Sequence, residues 1–500
     1  MSIPRPDACA VRRGGSILPP RSAGGEPVFS IGRREGGTLT RPKVLFIVSC
    51  LLPLLAAAAG APSFAASQAG QGAPPQPAGA GSAQTPSSLR QAAQPEQKTE
   101  LKIVKGYQLS PEKYQQAVAY ARARYRLHFF AAAYGMLILL LVLGWRLAPE
   151  FRDWAERASS RRFVQALVYT SLFLLTTSVL DLPTEIYRHW LARKYDQSVQ
   201  GWSSWTWEWT KEQLISIVIF TVLVWILYGV IRRSPRRWWF YFWLAALPIL
   251  VFVVFISPLV IDPLFYKFEP LAPKQPQLAA EIERVVQHGG LVIPRERMFE
   301  MNASTKLKSL NAYVTGIGAS KRVVVWDTTI AKATLPQTLS VFGHEMGHYV
   351  LHHVPKGLAF FAGLLLVGLY LGFRGMQGVL ARWGGRWAVR GADDWASLPV
   401  LLLLLSVFSF LAEPAGNSFS RYVEHQADVY GLEVIHGIVP NSGEVAAEAF
   451  QLMGEVNLSD PNPPEFIRVW LYSHPPLAER LIFARTYDPW SKGQAPQFVK

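Results

Sequence analysis

The run His344-Glu345-Met346-Gly347-His348 sets two histidines four positions apart, with a glutamate beside the first. It lies in a stretch, 337–354, whose only potential helix breakers are Gly343 and Gly347. On a helix, residues four apart share a face, so both imidazoles can be offered to one Zn2+ in a site with an open position. Zinc lowers the pKa of a bound water to near neutrality. Glu345 is then placed to take the water's proton and hand it to a leaving amine. The chemistry this spacing points to is hydrolysis of an amide bond. The plainer alternative is a helix with surface histidines. With ten histidines in 500 residues, a chance HExxH arises in about one such chain per hundred.

Such a site needs a third protein ligand. One zinc-protease pattern places a histidine six residues after the second, but that position is Val354. His352 and His353 read as polar residues at a helix end, where histidine is favoured. The segment 420–428 offers Glu424 and Asp428, four apart and on one helix face. Glu424 can ligate while Asp428 holds a ligand imidazole from behind. The competing reading of this segment is a solvated amphipathic helix. His425 projects about 100° away from Glu424 and is not expected to ligate. The chain has only two cysteines, Cys9 and Cys50, which excludes an all-cysteine zinc site and a disulfide framework. One zinc per chain is expected, although two imidazoles and a carboxylate also accept other divalent ions.

The elements that must position these residues are largely apolar. Half the chain is hydrophobic and 17% is charged, against about 25% charged in an ordinary soluble domain. Six runs read as candidate membrane helices: 129–145, 163–180, 214–231, 238–260, 357–373 and 398–412. A span takes roughly 17–25 apolar residues. Five runs meet this, and the sixth is short with Pro399 near its start. The net charge is +15, and arginines concentrate in the alternate loops 146–162, 232–237 and 374–394. By the positive-inside rule these three face the cytoplasm. The loop 181–213, the segment 261–356 and the C-terminal tail then face outward. Basic charge is thus a topology signal, and with no basic stripe or nucleic-acid motif no nucleic-acid partner is expected. The Trp-rich loop 201–209 suits a membrane interface.

Four regions follow. Residues 1–66 form a basic extension with a signal peptide or anchor around 44–66. Residues 67–100 form an Ala/Pro/Gln-rich linker. Residues 101–260 carry four spans, and residues 261–500 carry the HExxH with two further spans. A helix over 277–287 and strands at 297–301, 312–316 and 322–326 predict a small mixed α/β layer. The fold class is a mainly α-helical integral membrane protein with a small α/β domain.

HExxH followed by a distant ExxxAD resembles the M48 metallopeptidases, and more closely their Ste24-type, CAAX prenyl protease branch. The resemblance spans roughly 105–485. It rests on Tyr107–Lys113, Asp181-Leu182-Pro183, Pro258–Phe268, Asn311–Gly316 with Lys321–Thr328, and Ser473–Arg480. It implies His344, His348 and Glu424 as zinc ligands, Glu345 as general base and Asp428 as the carboxylate behind a ligand. It further implies that His474 and Arg480 stabilise the oxyanion and that Asn311 binds the substrate backbone. It implies a multi-span helical barrel around a water-filled chamber with a zincin-type domain. This chain departs from the family in its orientation, because the eukaryotic relatives keep the zinc site on the cytosolic side. The expected function is a membrane zinc metalloendopeptidase acting on membrane-associated or unfolded proteins, with the bilayer as its second partner. The expected location is a bacterial inner membrane with the site on the periplasmic side. A cytoplasmic-facing CAAX-type protease and an idle scaffold with structural zinc are the alternatives.

Overall fold

The computed structural model describes residues 106–316 and 321–499. The proposed signal segment, the linker and both cysteines lie outside the described residues.

The chain enters helix α1 (Pro111–Gly144) at Ser110, whose side chain accepts from the Lys113 N–H, with Pro111 in the first turn. Both features favour a helix start. A short amphipathic helix, α2 (Leu147–Ala158), follows, then α3 (Arg162–Lys194), α4 (Trp202–Arg233) and α5 (Trp238–Val260). Further on, α10 (His353–Trp383) and α11 (Leu398–Ile435) complete the long helices. Among the described residues, five helices are long and apolar enough to cross a membrane: α1, α3, α4, α10 and the stretch Trp395–Ile435. The run 238–260 forms α5, 23 residues long and strongly apolar. The helices share a core that includes Phe173, Phe220, Tyr228, Trp238, Trp395 and Leu405. On their outer faces Leu140, Val179, Val218 and Leu411 stand exposed, a surface that suits lipid.

The supposed loop 181–213 is mostly helix: α3 runs to Lys194 through an internal Pro183, and α4 begins at Trp202. The four tryptophans therefore sit on the first turns of a helix, where Trp202 and Trp205 pack about His189. The sixth run is not short. Pro399 occupies the first turn of α11, where proline is tolerated, and the helix continues for 38 residues. The first basic loop is largely the helix α2, which buries Ala148, Phe151, Arg152 and Ala155 at helical spacing.

The three basic loops meet. Arg152 Nη1 pairs with Asp394 at 2.8 Å, and both side chains are buried. Arg146 Nε donates to the Arg386 carbonyl at 3.0 Å, and Arg232 Nη1 to the Asp393 carbonyl at 3.4 Å. All three lie at the end of the bundle where α10 gives way to α11.

The small layer is a four-stranded sheet of order β1-β2-β4-β3, comprising β1 (Phe268–Pro270), β2 (Met298–Met301), β3 (Ala312–Thr315) and β4 (Arg322–Trp326). β1 was not expected; at three residues, ending on a proline, it carries no alternation to read. β2 and β4 run parallel, with Met298 opposite Val323, and β3 is antiparallel to β4. Short helices α6 (Leu271–Lys274), α7 (Pro276–His288) and α8 (Asp327–Lys332) surround the sheet. The HExxH helix α9 (Leu335–Val350) packs on this layer, with Leu339, Phe342 and Met346 in one core with Ile282, Val285, Val323 and Val325. Each such side chain contributes about 1.5–3 kcal/mol on burial. Helices α12 (Ser442–Val456), α13 (Glu465–Leu471) and α14 (Leu477–Thr486) close the C-terminal side.

Candidate active site

Helix α9 begins with a capping box. Gln337 N donates to Thr334 Oγ1 at 3.4 Å, and Thr334 N donates to Gln337 Oε1 at 3.0 Å. This fixes the helix start and thereby the face that carries His344 and His348. The helix does not run to 354 as its composition implies. It ends at Val350, and His352 takes a left-handed conformation at φ 56° before α10 starts at His353.

Glycines bring α9 against α11. A Cβ on Gly431 would lie 2.8 Å from the His344 backbone nitrogen, and one on Gly347 would lie 3.2 Å from the Ala427 Cα. The two backbones are therefore close enough for short carboxylate side chains on α11 to reach the imidazoles. The glycines that look like helix breakers in the sequence are contact residues.

Across this contact, His344 Nε2 lies 3.2 Å from His348 Nε2 and 3.2 Å from Glu424 Oε2. His348 Nε2 lies 3.4 Å from Glu424 Oε1. Among the described residues, these three side chains form the one group whose donor atoms converge tightly enough to hold a metal ion. A tetrahedral zinc with bonds of about 2.0–2.2 Å has ligand atoms roughly 3.3–3.6 Å apart; the separations here, 3.2 and 3.4 Å to one or the other oxygen of Glu424 and 3.2 Å between the imidazoles, lie at or just under the short end of that range. The chemistry of the donors agrees. His344 Nδ1 faces Asp428 Oδ1 at 2.8 Å. A carboxylate can only accept, so the proton sits on Nδ1 and Nε2 presents a lone pair. That lone pair faces Glu424, another acceptor, and Glu424 Oε2 is buried with no hydrogen-bond donor. Converging acceptors call for a cation.

The electrostatics point the same way. Burial alone lowers the His344 pKa, but the carboxylates of Asp428 and Glu424 outweigh it and raise it to about 10. The cage attracts a cation, whether a proton or a metal. Burial raises the Glu345 pKa above the usual carboxylate value, with the two histidines opposing the effect.

His474 joins the group. Its Nε2 lies 3.2 Å from Glu424 Oε1, and its Nδ1 contacts Ser473 Oγ at 2.9 Å. Burial lowers its pKa. The loop before it is pinned from the membrane helices: Arg421 Nη1 donates to the Arg468 and Tyr472 carbonyls at 3.1 and 2.5 Å, and Tyr125 meets Tyr472 hydroxyl to hydroxyl at 2.7 Å. Arg480 is brought to the site from behind. Its Nε and Nη2 hold the two oxygens of Asp428 at 2.9 and 2.6 Å, so two of its nitrogens are committed to that carboxylate. Asn311 is buried where the chain enters β3, and its Oδ1 accepts the Ala312 N–H at 2.8 Å. Sequence reasoning missed His353, read as a helix-end residue. It is buried, with Nδ1 3.1 Å from His348 Nδ1. Its spacing, five after a ligand across a helix break, carries no signal that periodicity can detect.

A two-helix zinc-type cage at one end of a multi-span helical bundle defines an integral-membrane metallopeptidase, and comparison with known proteins bears this out. The family profile for the CAAX prenyl protease N-terminal region, with five membrane helices, matches residues 93–267, and that of peptidase family M48 matches residues 272–488. The chain belongs to peptidase family M48, in its Ste24-type branch, and is a metalloendopeptidase. It is 35% identical over 387 residues to an uncharacterized metalloprotease, YhfN, of Bacillus subtilis, covering 76% of this chain and 89% of the relative. It is 26% identical over 399 residues to the CAAX prenyl protease 1 homolog of Oryza sativa subsp. japonica, covering 75% and 87% of the two chains. The crystal structure of S. mikatae Ste24p superposes with a TM-score of 0.65 at 20% identity, covering 90% of this chain and all of the other. The fold is accordingly a multi-span helical barrel with a small zincin-type α/β domain.

Proposed function

We propose that this protein is a zinc-dependent endopeptidase that hydrolyses membrane-associated or unfolded proteins, with its site on the periplasmic side of a bacterial inner membrane. The observation that carries the reading is the convergence of His344, His348 and Glu424 into a cluster tight enough to hold a metal ion, with Glu345 in electrostatic reach of all three.

His344, His348 and Glu424 would hold the metal. When bound, zinc supplies Lewis acidity, which polarises a peptide carbonyl and makes water nucleophilic near neutral pH. Glu345 accepts a proton from the attacking water as its oxygen bonds to the carbonyl carbon. It then delivers that proton to the amine nitrogen as the C–N bond breaks. The raised pKa from burial moves Glu345 toward the range in which a general base works best. His474, whose Nε2 faces Glu424 Oε1 at 3.2 Å on a side chain about a third exposed, would turn that N–H to the developing oxyanion. Asp428 orients His344, and Arg480 in turn holds Asp428 through Nε and Nη2. Asn311 would act on substrate through the β3 edge it begins.

Orientation draws support from the meeting of the three arginine-rich loops. They lie at the far end of α10, whose 31 residues carry the chain about 46 Å from the site. If basic loops are cytoplasmic, the site faces outward, where prenylated substrates are not made. A second reading, prenyl-protein processing at a cytoplasmic-facing site, draws on the name of the rice relative.

Two measurements test this. Purified full-length chain should cut an unstructured reporter peptide, and Glu345→Ala or a chelator should stop it. Equal cutting by wild type and variant would leave the scaffold reading standing. An alkaline phosphatase fused after Lys500 should be active; an inactive fusion with a fluorescent cytoplasmic counterpart would favour the second reading.

A further inference from the structure

The two histidines of the cage are held from behind by different chemistry. His344 has a carboxylate, Asp428, at 2.8 Å. His348 has a second imidazole: His353 Nδ1 lies 3.1 Å from His348 Nδ1. His353 Nε2 in turn lies 3.2 Å from Gln426 Oε1, and Gln426 Nε2 donates to the Tyr422 hydroxyl at 3.2 Å. His353 is 3% exposed.

We propose that His353 is a positioning residue that sets the tautomer of His348, with Gln426 fixing the direction of the proton chain. The logic is one of donors and acceptors. An amide oxygen only accepts, so His353 Nε2 carries the proton facing Gln426. Neutral His353 then has a bare Nδ1. A bare Nδ1 can only accept, so His348 Nδ1 carries the next proton. His348 Nε2 is left with its lone pair, and that atom faces His344 and Glu424. The reverse chain would put a proton inside the cage, where a metal must bind.

The backbone is built for this contact. His352 holds the left-handed conformation at φ 56°, an uncommon state for a residue with a Cβ. It turns the chain so that the first residue of a membrane helix folds back on the HExxH helix. Gln426 sits two residues past Glu424, so the relay ties α9, α10 and α11 together at the ligand.

This inference rests on the metal reading above, and the experiment separates the two. Zinc affinity of the full-length, metal-stripped protein in detergent is measured by competition with a chromophoric chelator. Wild type should bind one zinc per chain. His353→Leu should bind about 10–100-fold more weakly, the loss usual when the group behind a ligand is removed. His353→Asn, which places an acceptor near the position of Nδ1, should recover most of that loss. Gln426→Leu should weaken binding by less than His353→Leu, and it decides the matter if His353→Leu does not fold. A role in packing alone predicts the opposite ranking, with leucine the better substitute at so buried a position. Equal zinc affinity in wild type, His353→Leu and Gln426→Leu would overturn the proposal, as would an asparagine variant as weak as the leucine one. A wild type that binds no zinc would instead overturn the metal reading itself.

Discussion

Helix α11 makes two close contacts along its length, and both run through glycines. In its first half, Gly368, Gly372 and Gly375 of α10 face Phe408, Leu401 and Leu404. A Cβ on those glycines would meet side-chain carbons at 2.8, 2.9 and 3.0 Å. In its second half, Gly431 faces the backbone of α9, where a Cβ would meet the His344 nitrogen at 2.8 Å. The distances are alike but the obstacles differ. A leucine can change rotamer, whereas a helix backbone yields only if the whole helix moves. Glycine in the first half makes room for side chains between membrane helices. In the second half it sets the spacing of a metal cage.

Charge sharpens the contrast. The second half carries Asp428, clamped by Arg480 and facing His344. Asp428→Asn should therefore give the largest effect. It leaves Arg480 buried without its counter-charge, a loss of roughly 3–5 kcal/mol. It also removes the acceptor-only partner of His344, which should weaken zinc binding about 10–100-fold. Thermal melts and chelator competition would show both effects; a variant with normal zinc affinity would mean that Asp428 does not orient the ligand.

Gly431→Ala should come next. Forcing α9 and α11 apart should cost about 1–3 kcal/mol as overpacking, with a loss of zinc affinity out of proportion to the loss of stability. If affinity survives, the helix spacing does not control the cage and the comparison fails. Gly347→Ala meets Tyr430 Cβ at 3.1 Å and Ala427 Cα at 3.2 Å, contacts that a few tenths of an ångström relieve. It should weaken zinc binding several-fold, to a lesser degree than Gly431→Ala. Gly375→Ala should be the mildest. Its obstacle is the Leu404 tip, and alanine gains about 1 kcal/mol of helix propensity over glycine. Stability and peptide cleavage should both stay near wild type, and a loss as large as that of Gly431→Ala would erase the distinction between the halves.

The legible parts of this protein were those with local signals. The helix pairing of His344 with His348 and of Glu424 with Asp428 follows from a four-residue repeat, and the apolar runs mark the bundle helices. Three strands were legible within a residue or so at their ends. What escaped was non-local. The tryptophan-rich 201–209 segment read as a loop because its composition is shared by interfaces and helices. The break at His352 escaped because no glycine or proline marks it. His353 escaped because its partners, His348 and Gln426, meet it only through that break and across 73 positions of chain.

The sequence alone determined the donor types, the two helical pairs and the membrane-embedded class, because each is written in spacing or composition over a few turns. It carried the arginine asymmetry as well. Tertiary structure decided that α9 and α11 approach backbone to backbone, that Arg480 is committed to Asp428, and that the three basic loops share one end of the bundle. Those depend on which surfaces meet, and a contact between residues tens of positions apart leaves no periodic trace in either partner.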